Sequence, residues 1–233
     1  MNTQAGTVTL TGKVIVVAGA GSPAGQAVVR RLAAGGAHVV AADQRPHEWD
    51  DVSISPALVD LLDFDDTRNW AAEVVEVHGR VDGLIHLVGG WRGGKTFAET
   101  DLADWAFLHD TLLRTLQHTT LAFHDALSRS PQARVAIVSQ PGAQHPTQGT
   151  AAYAAAKAAG EAWTLALADA FTGADSAATI LVVKALLTDA MREQKPNAAF
   201  SGYTHVNELA DVMAGLWDRP AAELNGKRLD LTA

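Results

Sequence analysis

The chain has 233 residues, of which 48% are hydrophobic, and this is enough apolar material for the core of one α/β domain. Its formal net charge of −8 is spread along the sequence, which argues against nucleic acid or an anionic membrane as a partner. The chain contains no cysteine, which excludes disulfides, cysteine ligands to zinc and a thiol nucleophile.

The N-terminal residues and the histidines narrow the class of protein further. Residues 1–4 do not begin a signal peptide, and the chain has no apolar run of about 18 residues, the length that a membrane span needs. The nine histidines do not follow the spacing of metal ligands, so we expect no metal. A cytoplasmic protein is the simplest interpretation.

A glycine-rich turn lies between a predicted strand and a predicted helix. Residues 13–18 are apolar and β-branched, which favours a buried strand, and residues 26–34 have helical periodicity that ends at Gly35. The turn between them has glycines at 19, 21 and 25, and it fits the pattern Gly-x-x-x-Gly-x-Gly with Pro23 in place of the middle glycine. Such a turn brings the backbone and a helix N-terminus close to a pyrophosphate.

Asp43 follows the second predicted strand, residues 37–42, and completes the pattern. An acid at this place accepts hydrogen bonds from the ribose diol of a dinucleotide. It also repels a 2′-phosphate, so we expect NAD(H) as the cofactor, although Arg45 could admit NADP(H). An ordinary tight turn between strand and helix remains the alternative for residues 19–25.

The remaining pattern alternates strands and helices. The sequence predicts strands near 13–18, 37–42, 55–59, 82–88, 133–139, 178–184 and 228–231, and helices near 23–34, 65–78, 101–129, 150–171 and 207–217. This order predicts an α/β fold with one Rossmann-type, doubly wound parallel sheet, helices on both faces, and a single domain spanning residues 1–233. Ligands of such sheets bind at the carboxyl ends of the strands, where we expect Gly19, Asp43, Gly89, Ser139 and Thr188 to meet.

Tyr153 and Lys157 lie four residues apart in the alanine-rich predicted helix 150–171, so they share one helical face. An ammonium beside a phenol favours the phenolate, and we expect it to lower the pKa of Tyr153 toward that of a working proton donor. A helix with one buried aromatic and one solvated lysine is the alternative.

The glycine-rich turn, Asp43 and the Tyr153/Lys157 pair together resemble the short-chain dehydrogenase/reductase family, over residues 11–232. The resemblance implies an oxidoreductase that transfers a hydride between a nicotinamide and a small carbonyl or alcohol. It implies that Tyr153 is the general acid/base, that Lys157 lowers its pKa and binds the nicotinamide ribose, and that Ser139 polarises the reacting oxygen.

The same resemblance assigns the other site residues. Asp60 is expected beside the adenine, Thr188 at the nicotinamide carboxamide, and the segment 82–89 in the place of a family Asn-Asn-Ala-Gly. The expected cofactor-binding residues are Gly19, Gly21, Ser22, Pro23, Ala24, Gly25, Asp43, Gln44, Arg45, Asp60, Leu61, Val88, Gly89, Gly90, Tyr153, Lys157, Leu186 and Thr188. The expected substrate-binding residues are Trp91, Ser139, His145 and Tyr153.

A narrower resemblance concerns residues 88–94, which are similar to the Gly-Gly-Trp-x-Gly-Gly segment of dihydropteridine reductases. Residues 188–200 also resemble the substrate loop of that branch. This implies a quinonoid dihydropterin-like compound as a second class of substrate. Trp91 would then form one wall for a flat substrate, although packing of its ring over its own loop is the alternative.

Several positions depart from the family pattern. Leu112 aligns with the helical asparagine that carries a proton-relay water, and His86 and Leu87 replace two asparagines. Ser139 lies fourteen residues before Tyr153, one more than is common, and Gln140 follows it. A nucleotide-binding regulator or scaffold with impaired catalysis is therefore the alternative function. The family's long helices, here 101–129 and 150–171, form a two-fold interface, so we expect a homodimer or homotetramer.

Overall fold

The computed structural model describes residues 9–232, so the expectation that concerns residues 1–4 lies outside the described part of the chain. The strands are β1 (Val14–Ala18), β2 (His38–Asp43), β3 (Ile54–Leu58), β4 (Gly83–His86), β5 (Arg134–Ser139), β6 (Ala177–Val182), β7 (Leu186–Leu187), β8 (Thr204–His205) and β9 (Arg228–Asp230). The helices are α1 (Pro23–Ala34), α2 (Phe64–His78), α3 (Leu102–His109), α4 (Thr115–Arg129), α5 (Ala151–Ala170), α6 (Asp189–Gln194) and α7 (Val206–Ala214).

Seven strands form one parallel sheet in the order β3-β2-β1-β4-β5-β6-β9. The chain winds outward from β1 to β3 and then returns to β4 on the other side of β1. This is the doubly wound arrangement that the sequence predicts, and each of the seven predicted strands is confirmed. The crevice between β1 and β4 is the place where such sheets bind ligands.

The two faces of the sheet are covered by different helices, because alternate residues of each strand point in opposite directions. In β1, Ile15 and Val17 pack on the side of α1 and α7, while Val14 and Val16 pack on the side of α2 and α4. All five residues of this strand are buried. A continuous apolar run is what a strand covered on both faces requires.

The predicted helix 101–129 is interrupted. A π turn at Asp110–Arg114 separates α3 from α4, and it inserts one extra residue into the helical repeat. Thr115 follows the π turn and donates its hydroxyl to the carbonyl of Thr111 at 2.8 Å, which occupies a backbone acceptor that the wider turn exposes. Residues of this turn therefore face the crevice in a register that a regular helix would not give.

Some boundaries also differ from those predicted. The strand predicted over 82–88 ends at His86, and the helix predicted over 207–217 ends at Ala214 before a 3₁₀ turn, Gly215–Asp218. The sequence analysis missed α6 and the small sheet of β7 and β8. These elements have six, two and two residues, which is too short for a periodic pattern.

Candidate active site

The glycine-rich turn after β1 is built from close backbone contacts. Gly19 has a φ of +83°, and a Cβ on it would lie 2.8 Å from the backbone of Leu87 and Val88. A Cβ on Gly25 would overlap the carbonyl oxygen of Gly19. The backbone therefore approaches the end of β4 and the start of α1 more closely than any residue with a side chain would allow.

Helix α1 begins at this turn with its N-terminal amides directed toward the crevice. Ser22 caps the helix and accepts a hydrogen bond from the Gly25 amide at 3.0 Å. Pro23 takes the first helical position, where its fixed φ fits and its missing N–H costs nothing. This explains why proline can replace the middle glycine of the pattern, and why the helix end still suits a pyrophosphate.

Asp43, the last residue of β2, is fixed beside the turn. Its Oδ2 accepts a hydrogen bond from the Gly21 amide at 2.9 Å, and its Oδ1 accepts one from the Arg45 amide at 3.2 Å. His47 Nε2 lies 3.9 Å from Oδ1, and its ring covers Gly21 where a Cβ would be. The sequence analysis missed His47, because it lies in an irregular segment and belongs to no motif.

Six of the expected cofactor residues line one cavity of about 290 Å³: Gly19, Asp43, Gln44, Asp60, Leu61 and Val88. Phe107, Asp110 and Thr111 line the same cavity from α3 and the π turn, and sequence reasoning missed them. An adjoining cavity of about 250 Å³ is lined by Asp43, Arg45, His47 and Trp49, among others. The turn, the acid and this cavity form a cradle that fits a dinucleotide.

The other expected cofactor residues lie around the cradle. A Cβ on Gly89 would lie 3.5 Å from Leu112, and one on Gly90 would lie 3.0 Å from Phe107, so both glycines follow the crevice wall. Thr188 caps α6 by accepting the Met191 amide at 3.2 Å. It also lines a cleft with Pro23 of the turn. Leu186 begins the short strand β7 two residues earlier.

Tyr153 and Lys157 occupy adjacent turns of α5. The Lys157 ammonium donates to the carbonyl of Val138 in β5 at 2.7 Å and lies 5.8 Å from the centre of the Tyr153 ring. Burial lowers the pKa of Lys157 to about 8, an effect that the Glu161 carboxylate opposes. The bond to Val138 therefore fixes Lys157 near the carboxyl end of β5.

The predicted lowering of the Tyr153 pKa is not observed, because burial raises the pKa of this phenol. The phenol loses hydration in the protein, which disfavours the phenolate. The Lys157 ammonium lies over the ring and bonds the Val138 carbonyl, so it does not offset this loss.

The role expected for Ser139 is not supported by its position. Ser139 is 1% exposed, and its hydroxyl donates a short hydrogen bond to Glu161 of α5. Arg228 of β9 donates to the same carboxylate from its Nη2 at 3.1 Å. Ser139 ends β5 with its side chain directed toward the layer of α5, so its hydroxyl belongs to a buried structural network.

His86 and Leu112 occupy positions at which the family pattern has asparagine. His86 is buried, with Nε2 3.1 Å from the Thr115 hydroxyl and Nδ1 3.3 Å from that of Thr119. Burial and the nearby charge of Lys157 lower its pKa to about 3, so the ring is neutral. Leu112 is buried in an apolar cluster against which Tyr153 packs. Its side chain has no polar atom to hold a relay water.

The loop that carries Trp91 is fixed to the start of α5. The Gly94 amide donates to the carbonyl of Gly149 at 2.9 Å, two residues before the helix begins. Trp91 is 59% exposed, and its ring lies close to Gly93, where a Cβ would approach to 3.0 Å. His145 is exposed on the loop after β5, and its amide donates to Pro141. The Trp91 ring therefore lies beside its own loop, and Trp91 remains largely exposed.

Two negative findings concern the described part of the chain. Between residues 9 and 232, no group of three or more His, Asp or Glu side chains is arranged to hold a metal ion. Within the same residues, no helix combines the length and apolarity that a membrane span needs.

Comparisons with known proteins agree with this geometry. The acetoacetyl-CoA reductase of Allochromatium vinosum is 27% identical, with 93% of this chain and 96% of that protein covered. The meso-2,3-butanediol dehydrogenase of Serratia marcescens is 35% identical over 100 residues, which are 40% of this chain and 39% of that protein. The structure of a short-chain type dehydrogenase/reductase from Mycobacterium ulcerans superposes with a TM-score of 0.83 at 18% identity, covering 95% of this chain and 89% of that one.

The family model described as short chain dehydrogenase matches residues 13–198, which include the glycine-rich turn, Asp43 and the Tyr153/Lys157 pair. This match covers far more than half of the chain. The protein therefore belongs to the short-chain dehydrogenase/reductase family of NAD(P)-dependent oxidoreductases.

Proposed function

We propose that this protein is an NAD(H)-preferring oxidoreductase that transfers a hydride between the nicotinamide and a small substrate, with Tyr153 as its general acid/base. The substrate would be a carbonyl compound or alcohol, or a quinonoid dihydropterin-like compound. A bound nicotinamide would supply or accept the hydride. The residues of this chain would bind and orient the cofactor and the substrate, and would transfer the proton.

The observation that carries this proposal is the position of the Lys157 ammonium. A partly buried lysine is costly unless a strong partner holds it, and here a strand-end carbonyl does so at 2.7 Å. The same lysine is one helical turn from Tyr153, whose partly buried ring packs against Leu112 and its neighbours. Ionisable groups with shifted pKa values in a cleft are typical of functional sites.

The proton step follows from these two side chains. In the reduction, the Tyr153 hydroxyl would give its proton to the substrate oxygen, and in the oxidation the phenolate would take it back. The Lys157 ammonium lies 5.8 Å from the centre of the Tyr153 ring, but it does not outweigh the burial that disfavours the phenolate left by the first step. Because the pKa of Lys157 is about 8, Lys157 is positively charged in most of the protein molecules at neutral pH.

The substrate proposals have separate support. A relative named as an acetoacetyl-CoA reductase and another named as a butanediol dehydrogenase favour a small carbonyl or alcohol. The exposed Trp91, on a glycine-rich loop fixed to the start of α5, favours a flat heteroaromatic compound. A scaffold without turnover is the second candidate, because Ser139 is held in the core and Leu112 is apolar.

The first experiment measures binding and turnover side by side. NADH and NADPH binding are titrated by fluorescence, and oxidation of each cofactor is then followed with diacetyl, acetoin, acetoacetyl-CoA and quinonoid dihydropterin. We expect NADH binding together with turnover of at least one compound. Stoichiometric binding without any turnover would favour the scaffold.

Tyr153→Phe tests the proton donor. We expect kcat to fall by about 100-fold or more, since general acid catalysis contributes on that scale, while NADH affinity stays close to that of the wild type. Tyr203→Phe is the control, because it removes the hydroxyl of the second of the two tyrosines. A near-normal kcat in Tyr153→Phe would contradict the assignment. For a quinonoid dihydropterin the effect should be smaller, since that substrate is already activated.

A further inference from the structure

Two polar residues stand at the carboxyl end of β5, and the structure gives them different surroundings. The Ser139 hydroxyl donates to Glu161, whose carboxylate is also held by Arg228 of β9. A hydroxyl that is buried and bonded to a charged acceptor is strongly retained in that position. It is therefore not available to a substrate.

Gln140 comes next in the chain, and its amide nitrogen is in the opposite situation. Nε2 is buried and makes no hydrogen bond with any residue in the described part of the chain. Buried donors without a partner are rare in folded proteins, because each loses its hydration without compensation. A substrate that binds at this end of β5 would supply the missing partner.

The backbone on both sides of Gln140 lies against α5, the helix that carries Tyr153 and Lys157. The Lys157 ammonium bonds the carbonyl of Val138, two residues before Gln140. The turn after it, Pro141–Ala143, packs against α5, the helix that carries both residues. A Cβ on Gly142 would lie 2.5 Å from Gln140 Nε2, so the amide is folded closely against this turn.

We propose that Gln140 Nε2 donates the hydrogen bond to the reacting oxygen of the substrate, the role that the sequence pattern assigns to Ser139. This inference rests on the proposed function. A neutral amide neither gains nor loses a proton near neutral pH. Gln140 therefore orients the substrate oxygen and stabilises its developing negative charge, while Tyr153 supplies the proton.

The first test is Gln140→Ala, measured with the carbonyl compound that the wild type reduces fastest. We expect kcat/KM to fall by about 100-fold, the usual effect of removing one such donor. NADH affinity and Tm should stay close to the wild-type values, because the amide has no partner to lose. Gln144→Ala is the matched control from the same loop, since the Gln144 side chain is bonded to Arg228 and should change kcat/KM far less.

The second test moves the amide without removing it. In Gly142→Ala the new methyl group would lie 2.5 Å from Nε2 and 2.9 Å from Oε1, which is too close for the Gln140 side chain to keep its position. We expect the protein to fold, with kcat/KM reduced toward the Gln140→Ala value. Gly215→Ala is the control, because its Cβ would meet nothing within 4 Å.

The third test reads the hydrogen bond without turnover. Isotope-labelled diacetyl is bound to the enzyme with NAD⁺, which has no hydride to give, and its carbonyl stretching band is recorded by infrared spectroscopy. We expect a lower frequency in the wild type than in Gln140→Ala.

The possible results separate the two proposals. If the wild type reduces a carbonyl and Gln140→Ala does so equally well, or if the carbonyl band is the same in both proteins, the inference is overturned and the proposed function stands. If the wild type binds NADH but reduces none of the compounds, the proposed function fails and this inference fails with it.

Discussion

Asp43 should determine the preference for NADH over NADPH through its charge. A 2′-phosphate carries between one and two negative charges, and like charges about 5 Å apart repel by about 3 kcal/mol at an effective dielectric constant near 20. The Asp43 carboxylate is only partly accessible, which limits screening by salt. Arg45 lines a cavity together with Asp43, and its guanidinium offsets part of this repulsion. We therefore expect NADH to be preferred by about tenfold or more.

Asp43 has a second role, and two variants separate it from the first. Its Oδ2 accepts the Gly21 amide of the phosphate turn at 2.9 Å. Asp43→Asn keeps an oxygen acceptor for this amide and removes the charge, so NADPH affinity should rise while NADH affinity changes little. Asp43→Ala loses both functions, so NADH affinity should fall as well.

The assay is a pair of binding titrations and a pair of KM measurements, at low and at moderate salt, for the wild type and both variants. If the wild type binds NADPH as well as NADH, Arg45 dominates and the reasoning about Asp43 is wrong. If Asp43→Asn lowers NADH affinity as much as Asp43→Ala does, the charge of Asp43 is more important for NADH binding than its bond to the turn.

Three further predictions concern other parts of the molecule. Burial lowers the pKa of Lys157 from 10.5 to about 8, so the unfolded chain binds this proton more tightly than the folded protein does. Between pH 8 and pH 10.5, the free energy of unfolding of the wild type should therefore rise with pH relative to that of Lys157→Met. Denaturant titrations in which the two proteins show the same pH dependence would refute this. Trp91→Ala should raise KM for a flat heteroaromatic substrate more than it changes NADH affinity, whereas an unchanged KM with a lower Tm would show that the ring packs over its loop. The exposed Leu121 of α4 and Leu165 of α5 lie on the helices expected at a two-fold interface, and light scattering at micromolar concentration should give a dimer or tetramer rather than a monomer.

The sheet was predictable from the sequence because its strands are covered on both faces. A run such as residues 14–18 is apolar throughout, and the turns that follow contain glycine or aspartate in recognisable positions. The π turn at Asp110–Arg114 was not predictable, since its residues carry the same apolar pattern as the helices on either side. Its effect is seen in the tertiary structure, where Asp110 and Thr111 line the same cavity as Gly19 and Asp43.

The cofactor cradle was predictable to the extent that it is made by local sequence. The turn at residues 19–25 and Asp43 are joined by a hydrogen bond between Gly21 and the carboxylate, and both belong to one strand–helix–strand unit. His47 lies in an irregular segment beside Asp43. Phe107 belongs to α3, a helix outside this unit, and lines the cavity from there. Such positions depend on the packing of whole elements, which short motifs do not encode.

Ser139 and Gln140 show how a difference of one residue in register could decide a role. Ser139 and Gln140 are adjacent at the end of an extended strand, so their side chains leave the backbone in opposite directions. The residues that distinguish them are distant in sequence, since Glu161 lies 22 positions and Arg228 lies 89 positions after Ser139. A serine is the more familiar donor, but the buried ion pair takes its hydroxyl. The polar group without a partner is the amide beside it. In this chain the assignment of a catalytic donor therefore depends on which groups the core has already satisfied.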